Sequence, residues 1–175
     1  MNRRTGLLAL AALGAGCAAP DVSRYGGEQP ALDLRAYFNG RVDGWGLFTD
    51  RSGRVVKRFV VAMDCRWSGD EGVLDEDFTY SDGTKQRRVW RVRKLADGRY
   101  TGRADDVVGE ATGRAAGNAL HWQYTLALPV DGRTWEVEMD DWMFLVDQEV
   151  LINRTAMRKF GIHLGDVTLS FRRRP

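Results

Sequence analysis

Two pairs of neighbouring aspartates, Asp105-Asp106 and Asp140-Asp141, are the side chains of this sequence best suited to acid–base chemistry. Adjacent residues of a β-strand point to opposite faces, so each pair is expected to place one carboxylate on the inner face of the sheet and one on the outer face. A carboxylate buried near apolar groups has a raised pKa and can act as a general acid or base. Asp106 and Asp141 are therefore weak catalytic candidates, and turn capping is the alternative role for the first pair.

The histidine His121 is the third weak catalytic candidate. It precedes Trp122 in the sequence, so we expect it on the opposite, exposed face, where a structural role is favoured. The sequence contains neither a nucleophile-elbow serine nor a glycine-rich phosphate loop that opens a helix. A non-catalytic protein is therefore favoured over an enzyme.

The carboxylate of Asp141 is also a candidate ligand anchor. The expected register puts it on one face with Trp122 and Tyr124, where an acid needs a polar partner. Asn153 or Arg154 can supply that partner. Such a group would hold the polar head group of a ligand, and a buried structural network of the same residues is the alternative.

The cysteines and histidines limit the chemistry further. Cys65 lies in the alternating apolar segment 59–67, which predicts a buried and inert thiol. If Cys17 carries lipid, no internal disulfide can form. The chain has only two histidines, so a zinc site of nitrogen and sulfur ligands is not expected. We predict no metal and no cofactor.

Residues 1–16 are predicted to be a lipoprotein signal peptide that is removed before Cys17. An arginine pair precedes a short apolar run, Leu7 to Leu13, and small residues separate that run from the cysteine. Gly14 stands where such a signal usually has an aliphatic residue. An ordinary secretory signal with an incidental cysteine remains an alternative, as does export by the twin-arginine route.

Acylation of Cys17 would anchor the mature chain to a membrane outside the cytoplasm. The next residue, Ala18, is not acidic, which favours the inner leaflet of a bacterial outer membrane, facing the periplasm. Residues 17–30 have few large apolar side chains and are predicted to be a lipidated tether, and 31–175 to be a single domain. The membrane is the expected partner, and the sequence identifies no protein partner.

The balance of charges excludes one class of partner. Loss of Arg3 and Arg4 with the signal lowers the formal charge from +2 by two, to zero, in a mature chain of 159 residues. A chain without net positive charge lacks the field that drives nucleic-acid binding.

From Gly44 onward the chain alternates apolar and polar residues between glycine- and aspartate-containing turns, a pattern typical of antiparallel strands. Nine or ten hairpin-linked strands, without room for crossover helices, predict an all-β, up-and-down barrel of about 8–10 strands. Residues 32–38 are predicted to be a short helix or a docked extended segment, and 156–160 a short helical turn. The predicted strands are 44–50, 54–68, 73–80, 85–95, 99–105, 110–116, 118–128, 134–140, 142–154 and 164–173.

The turn sequences fix the strand registers. A three-residue loop at Ser81-Asp82-Gly83, a second at Ala96-Asp97-Gly98 and a four-residue loop, Val130-Asp131-Gly132-Arg133, keep apolar residues on one face. The cross-strand pairs predicted from them include Leu74 with Trp90, Glu76 with Arg88, Trp90 with Ala104, Val92 with Gly102, Tyr124 with Met139 and Leu126 with Val137.

Three stretches of the sequence carry a family resemblance. They are residues 32–40 leading to 44–46, residues 104–111 through 117–120, and residues 140–143 through 152–154. The chain resembles the uncharacterised proteobacterial lipoprotein family catalogued as domain-of-unknown-function family 3833. The resemblance implies an envelope lipoprotein with a lipocalin-like (calycin-type) barrel, and it implies no catalytic residues.

The favoured functional hypothesis is a barrel that binds a small apolar or amphiphilic ligand, such as a fatty acid or another lipid. One aromatic-rich face interrupted by a few charged residues supports it. The alternatives are a structural lipoprotein that docks onto an envelope protein, and an enzyme that acts on an envelope lipid. The predicted ligand-binding residues are Phe59, Glu76, Arg88, Trp90, Trp122, Tyr124, Met139, Asp141, Asn153 and Arg154.

Overall fold

A computed structural model describes residues 20–130 and 132–174 of the chain. The predicted signal peptide and the predicted lipidation site, Cys17, lie outside the described residues. Of the predicted tether, the structure describes residues 20–30.

Ten antiparallel strands form one closed barrel in which each strand pairs with its neighbours in sequence, and β1 pairs with β10 to close it. The prediction of an all-β up-and-down barrel is confirmed. The strands are β1 Gly40–Asp50, β2 Val55–Ser68, β3 Glu71–Tyr80, β4 Lys85–Lys94, β5 Arg99–Arg103, β6 Val107–Ala116, β7 Ala119–Val130, β8 Arg133–Leu145, β9 Val150–Lys159 and β10 Ile162–Arg173.

The predicted registers are those observed in three hairpins. The structure pairs Leu74 with Trp90, Glu76 with Arg88, Val92 with Gly102, Tyr124 with Met139 and Leu126 with Val137. Since a slip of one residue would turn an apolar face outward, the alternating sequence was sufficient to fix these pairings. The predicted pair of Trp90 with Ala104 is not formed, because the ladder between β4 and β5 ends at Arg91 and Arg103. Val130 and Arg133, predicted to lie in a loop, pair with each other.

Two predictions around the eighth and ninth strands are wrong. Strand β8 continues through Asp140 and Asp141 to Leu145, so 142–154 is not one strand. The chain turns at 146–149, where the Asp147 side chain accepts hydrogen bonds from the amides of Glu149 and Val150. The predicted helical turn at 156–160 is strand as far as Lys159, because these residues continue the ladder with β8 and β10.

One end of the barrel is covered by the segment that precedes β1. This closed end carries the turns after β2, β4, β6 and β8. The short helix α1, Leu34–Tyr37, begins after Asp33, whose carboxylate accepts a hydrogen bond from the Arg35 amide. The same carboxylate is 2.6 Å from Lys94 Nζ, and the Tyr37 hydroxyl donates to the Glu149 carbonyl on the other side of the barrel.

Residues of the predicted tether also pack on the barrel wall near the closed end. A 3-10 helix, Val22–Tyr25, buries Val22, and the Tyr25 ring lies 5.1 Å from Phe144 and 6.1 Å from Trp142. The Leu32 amide donates to the Gly117 carbonyl. The chain between Val22 and β1 is therefore fixed to the barrel.

Side chains from the inner faces of the strands project into the barrel interior. Large rings are accommodated opposite glycines: a Cβ added at Gly102 would lie 2.8 Å from the Trp122 ring and 3.3 Å from Trp90. A Cβ added at Gly46 would collide with the ring of Phe59. This pairing of large with small residues is how a narrow barrel fills its core. In the described part of the chain, no helix has both the length and the apolar character to cross a membrane.

Candidate functional site

Four polar side chains meet inside the barrel at mid-height, and we call them the inner polar cluster: Glu76 of β3, Arg88 of β4, Tyr124 of β7 and Asp141 of β8. Glu76 lies directly across from Arg88, and Asp141 lies across from Trp122, one inward position away from Tyr124. Period-two alternation places all four on the inner face among apolar neighbours. Glu76 and Asp141 are only 8% and 6% exposed.

The cation of the cluster already has an anionic partner. Nε of Arg88 is 2.9 and 3.0 Å from the two carboxylate oxygens of Asp106, and its Nη2 is 2.7 Å from one of them. Asp106 sits in the turn after β5. Burial by itself lowers the pKa of the Arg88 guanidinium. The bidentate contact with Asp106 and the nearby acid Glu76 outweigh burial, so the pKa lies above its ordinary value. Gln86 Nε2 also donates to Asp106, at 3.3 Å, and the Tyr80 hydroxyl donates to Gln86 at 2.8 Å.

The Asp141 carboxyl group is the most buried acid of the cluster. Burial raises its pKa from the ordinary 3.8 to about 7, and the neighbouring Thr155 hydroxyl and Arg88 offset only part of that effect. Its Oδ1 atom has no hydrogen-bond partner among the described residues. The Asn153 side chain nearby accepts a hydrogen bond from Thr155 at 3.1 Å, and its own Nδ2 atom is likewise without a partner there.

The Glu76 carboxyl group has a similarly raised pKa, about 7 against an ordinary 4.5. Burial is the main cause, Arg88 opposes it, and the acids Asp106 and Asp141 add to it. The same environment raises the pKa of Tyr124 well above its ordinary value. At neutral pH, Glu76 and Asp141 are therefore groups that can both donate and accept protons inside the barrel.

Aromatic rings surround the inner polar cluster. The Trp90 ring contacts Tyr124 and Trp122 edge-on, at centroid distances of 5.3 and 5.8 Å. Phe59 and Phe78, 5.7 Å apart, belong to a second aromatic group nearer the end of the barrel opposite α1, which we call the open end. This end carries the turns after β1, β3, β5, β7 and β9.

An opening in the barrel wall leads toward the cluster. Strand β4 pairs with β5 only over Arg91–Lys94, so the earlier half of β4 lacks a ladder partner on that side among the described residues. A cleft of about 240 Å³ lies there, lined by Gln86, Arg87, Arg88, Val89, Asp105 and Asp106. This volume is below the range of typical small-molecule sites, about 300–1,000 Å³, so the cleft admits only part of a ligand.

The outer face of the same sheet holds a separate polar group. His121 Nε2 is 2.6 Å from Asp140 Oδ1, Arg158 approaches the same carboxylate at 3.7 Å, and the His121 ring stacks on Trp142 at 4.3 Å. His121 and Asp141 therefore lie on opposite faces of the barrel wall. The acid–base site that the enzyme hypothesis requires, with Asp141 and His121 converging in one cleft, is not formed.

The remaining predicted site residues lie on both faces of the barrel wall. Met139 is buried beside Leu126 and Val137. Arg154 is exposed on the outer face opposite Trp142, so its predicted contact with Asp141 is wrong. The cause is its position in β9: Thr155, one residue later, takes the inward place opposite Asp141.

Sequence analysis missed three polar residues that extend the site: Tyr80, Gln86 and Thr155. The first two share the inner-face parity of Glu76 and Arg88, so the alternation could have identified them. Thr155 could not be placed, because the turn at 146–149 was not recognised and β9 was given the wrong bounds. In the described part of the chain, no three His, Cys, Asp or Glu residues converge as a metal site.

The model of one protein family, described as Protein of unknown function (DUF3833), matches residues 11–173 of the sequence. No curated protein matches the sequence of this chain. Among solved structures, the S-type phycobiliprotein lyase CPES from Guillardia theta is similar, with a TM-score of 0.61 at 6% identity, over 89% of this chain and 99% of the lyase. A de novo designed fluorescence-activating β-barrel gives a TM-score of 0.45 at 12% identity, over 82% of this chain and 99% of the design.

The similarity to the lyase shows the fold alone, because the sequence identity is so low, and the match to the designed barrel is too weak to carry an argument. Together with the closed ten-stranded topology, the similarity to the lyase confirms the prediction of a lipocalin-like barrel.

Proposed function

The chain belongs to the family of proteins of unknown function DUF3833, and we propose that its barrel binds a small amphiphilic molecule through the wall opening beside β4. One observation carries this proposal: a cluster of ionisable groups lies inside an aromatic interior, next to a cleft in the wall. The polar end of the ligand meets the cluster, and its apolar part lies along the rings.

A purely structural role explains the cluster less well. Removing a charge from water costs more than most buried pairs return, and an apolar core of equal volume would stabilise the barrel better. Glu76 and Asp141 are buried without a cation within ion-pair distance in the described part of the chain, whereas Arg88 is matched by Asp106. Groups that lower stability in this way are typical of binding sites.

The test of this proposal uses an uncharged probe, so that it does not depend on the charge of the ligand. Binding of 1-decanol to the full chain bearing Cys17→Ser, which cannot be acylated, is followed by tryptophan fluorescence and by thermal shift. We expect saturable binding and a rise in the melting temperature, because Trp90 and Trp122 line the interior.

A matched pair of variants locates the binding. Gln86→Trp fills the cleft and should weaken decanol binding at least about tenfold, which corresponds to about 1.4 kcal/mol. Lys85→Trp, on the exposed neighbouring position, should bind as the parent does. Absence of saturable binding in the parent, or equal binding by both variants, would contradict the proposal.

We further propose that the protein is a lipoprotein of the bacterial envelope, anchored through Cys17 and sorted to the inner leaflet of the outer membrane. The layout of residues 1–17 and the neutral Ala18 support this location. Metabolic labelling with a palmitate analogue should mark the wild-type protein and not Cys17→Ser, and the variant should leave the membrane fraction. Retention of the variant in washed outer membranes would contradict the anchor.

A second candidate function, docking onto an envelope protein, is favoured by exposed apolar residues at the open end. Phe160 and Ile162, in the turn after β9 and the start of β10, are 85% and 61% exposed, and Trp135 is 41% exposed. A photocrosslinking residue at position 160 in cells should then give one discrete adduct that is absent when the residue is at Lys85. Identical patterns from both positions would exclude specific docking there.

A further inference from the structure

We propose that the polar end of the ligand is a basic nitrogen, bound between the carboxyl groups of Glu76 and Asp141 and against the rings of Trp90 and Tyr124. The inference rests on the proposed function, since it names the chemical class of the molecule that the barrel binds.

The charges facing the interior determine the sign of the ligand group. Arg88 is the one cation of the inner polar cluster, and its guanidinium already makes a bidentate contact with Asp106 at 2.7–3.0 Å. Glu76 and Asp141 have no such partner: within residues 20–130 and 132–174, no lysine, arginine or histidine nitrogen comes within 4.0 Å of either carboxyl group. A cationic ligand would therefore supply the partner that neither carboxyl group has among these residues.

A hydrogen-bonding position on Asp141 is also unfilled. The side chain is 6% exposed, and its Oδ1 atom accepts no hydrogen bond from any described residue. Buried polar atoms are almost always paired, because an unpaired acceptor loses its hydration without compensation. A protonated amine carries the N–H donors that this atom lacks, and a carboxylate carries none.

The neighbouring rings suit a cation as well. Trp90 is buried beside Tyr124, with centroids 5.3 Å apart, and Trp122 packs edge-on with Trp90 at 5.8 Å. The faces of tryptophan and tyrosine attract ammonium groups, and the attraction strengthens where water is excluded. Two carboxyl groups beside aromatic rings are a suitable environment for an organic cation.

An anionic head group is disfavoured at the same place. It would lie beside Glu76, Asp141 and Asp106 with only Arg88 to oppose them, and like charges in an interior of low dielectric repel strongly. A fatty acid could be bound instead by Lys159 at the open end, where Nζ lies 5.1 Å from the Trp135 ring, but that arrangement leaves the inner acids unused.

Three probes with the same ten-carbon chain test the inference: decylamine, 1-decanol and decanoate. Each is titrated, below its micellar concentration and at pH 7, into the full chain bearing Cys17→Ser. We expect decylamine to bind at least about tenfold more tightly than decanol, and decanoate to bind more weakly than decanol. Decylamine binding should also release protons, measured by calorimetry in two buffers of different ionisation enthalpy, because a cation favours the ionised carboxyls.

Isosteric variants assign the effect to the two acids. Asp141→Asn and Glu76→Gln should each lower decylamine affinity about tenfold and decanol affinity by less, so that the advantage of decylamine over decanol shrinks. Asp140→Asn is the matched control, because Asp140 is the adjacent residue on the outer face. If one of the two variants does not fold, the other still measures how much its own carboxyl group contributes to decylamine affinity.

The outcomes separate this inference from the proposed function. If no probe binds, the proposed function is wrong and the inference falls with it. If decanol binds but decylamine shows no advantage, or decanoate binds best, the inference alone is overturned. An advantage for decylamine that persists in both Asp141→Asn and Glu76→Gln would overturn it as well.

Discussion

The buried carboxyl group of Asp141 should make the barrel less stable as the pH rises, and Asp141→Asn should remove most of that loss. In the folded chain its pKa is about 7, against an ordinary 3.8 in an unfolded chain. Between those two values the folded state binds a proton that the unfolded state has released. Stability therefore falls with rising pH across this window and becomes level above it.

The size of the effect follows from the two pKa values. The interval from 3.8 to about 7, at about 1.36 kcal/mol per pH unit, gives about 4 kcal/mol at pH 8. Asparagine keeps the shape of the side chain and cannot ionise. Relative to wild type, Asp141→Asn should therefore be near neutral at pH 4 and more stable by up to about 4 kcal/mol at pH 8. Glu76, whose pKa is also raised to about 7, leaves a residual slope of the same sign.

Urea unfolding of the Cys17→Ser chain between pH 4 and pH 8.5, followed by tryptophan fluorescence, measures this difference. Asp140→Asn is the control, since the outer carboxylate contacts His121 and Arg158 and its removal should not reproduce the pH-dependent gain. If wild type and Asp141→Asn run parallel over the whole range, or if the variant is less stable at pH 8, then Asp141 is stably ionised and the burial argument is wrong.

Three further predictions test the residues that support the site: the cap of α1, a packing contact in the core and a buried thiol. Asp33→Ala removes the cap of α1 and the ion pair with Lys94, and should lower the free energy of unfolding by about 1–2 kcal/mol; an unchanged urea midpoint would contradict this role. Gly102→Ala places a Cβ against the Trp122 ring and should cost about 1–3 kcal/mol in the same assay, whereas a neutral result would show that the ring can move freely. Burial raises the pKa of the Cys65 thiol to about 12, so a thiol reagent should label it only after unfolding, and rapid labelling of the folded chain would refute its burial.

The barrel itself could be predicted from the sequence because alternation and turn chemistry act locally. Gly83 and Gly98 have positive φ in their turns, as a tight hairpin requires, and they fix the registers of β3, β4 and β5. The error in β8 and β9 arose where turn signals are weakest. The connection at 146–149 has neither glycine nor proline, and its turn is formed by hydrogen bonds that the Asp147 carboxylate accepts from the Glu149 and Val150 amides, which composition does not reveal.

The candidate site could be predicted only in part. Inner-face parity identified Glu76, Arg88 and Asp141, because each belongs to a hairpin whose register was known. The pairing of Arg88 with Asp106 was not predicted, since it joins β4 to a turn across a gap in the ladder. Contacts of this kind depend on where two strands separate, and no local pattern encodes that point.

The gap between β4 and the turn after β5 connects these findings. Where β4 lacks a ladder partner among the described residues, the Arg88–Asp106 contact joins the two edges, and the hydrogen bonds of the guanidinium go to Asp106. If Arg88 were paired with Glu76 instead, that carboxyl group would have a cation partner within the barrel. Because Arg88 pairs with Asp106, the inner acids have no cation within ion-pair distance in the described part of the chain, and the cleft opens beside them. The charge imbalance and the opening thus have the same structural origin, and this favours a binding site over a polar core that serves only the fold.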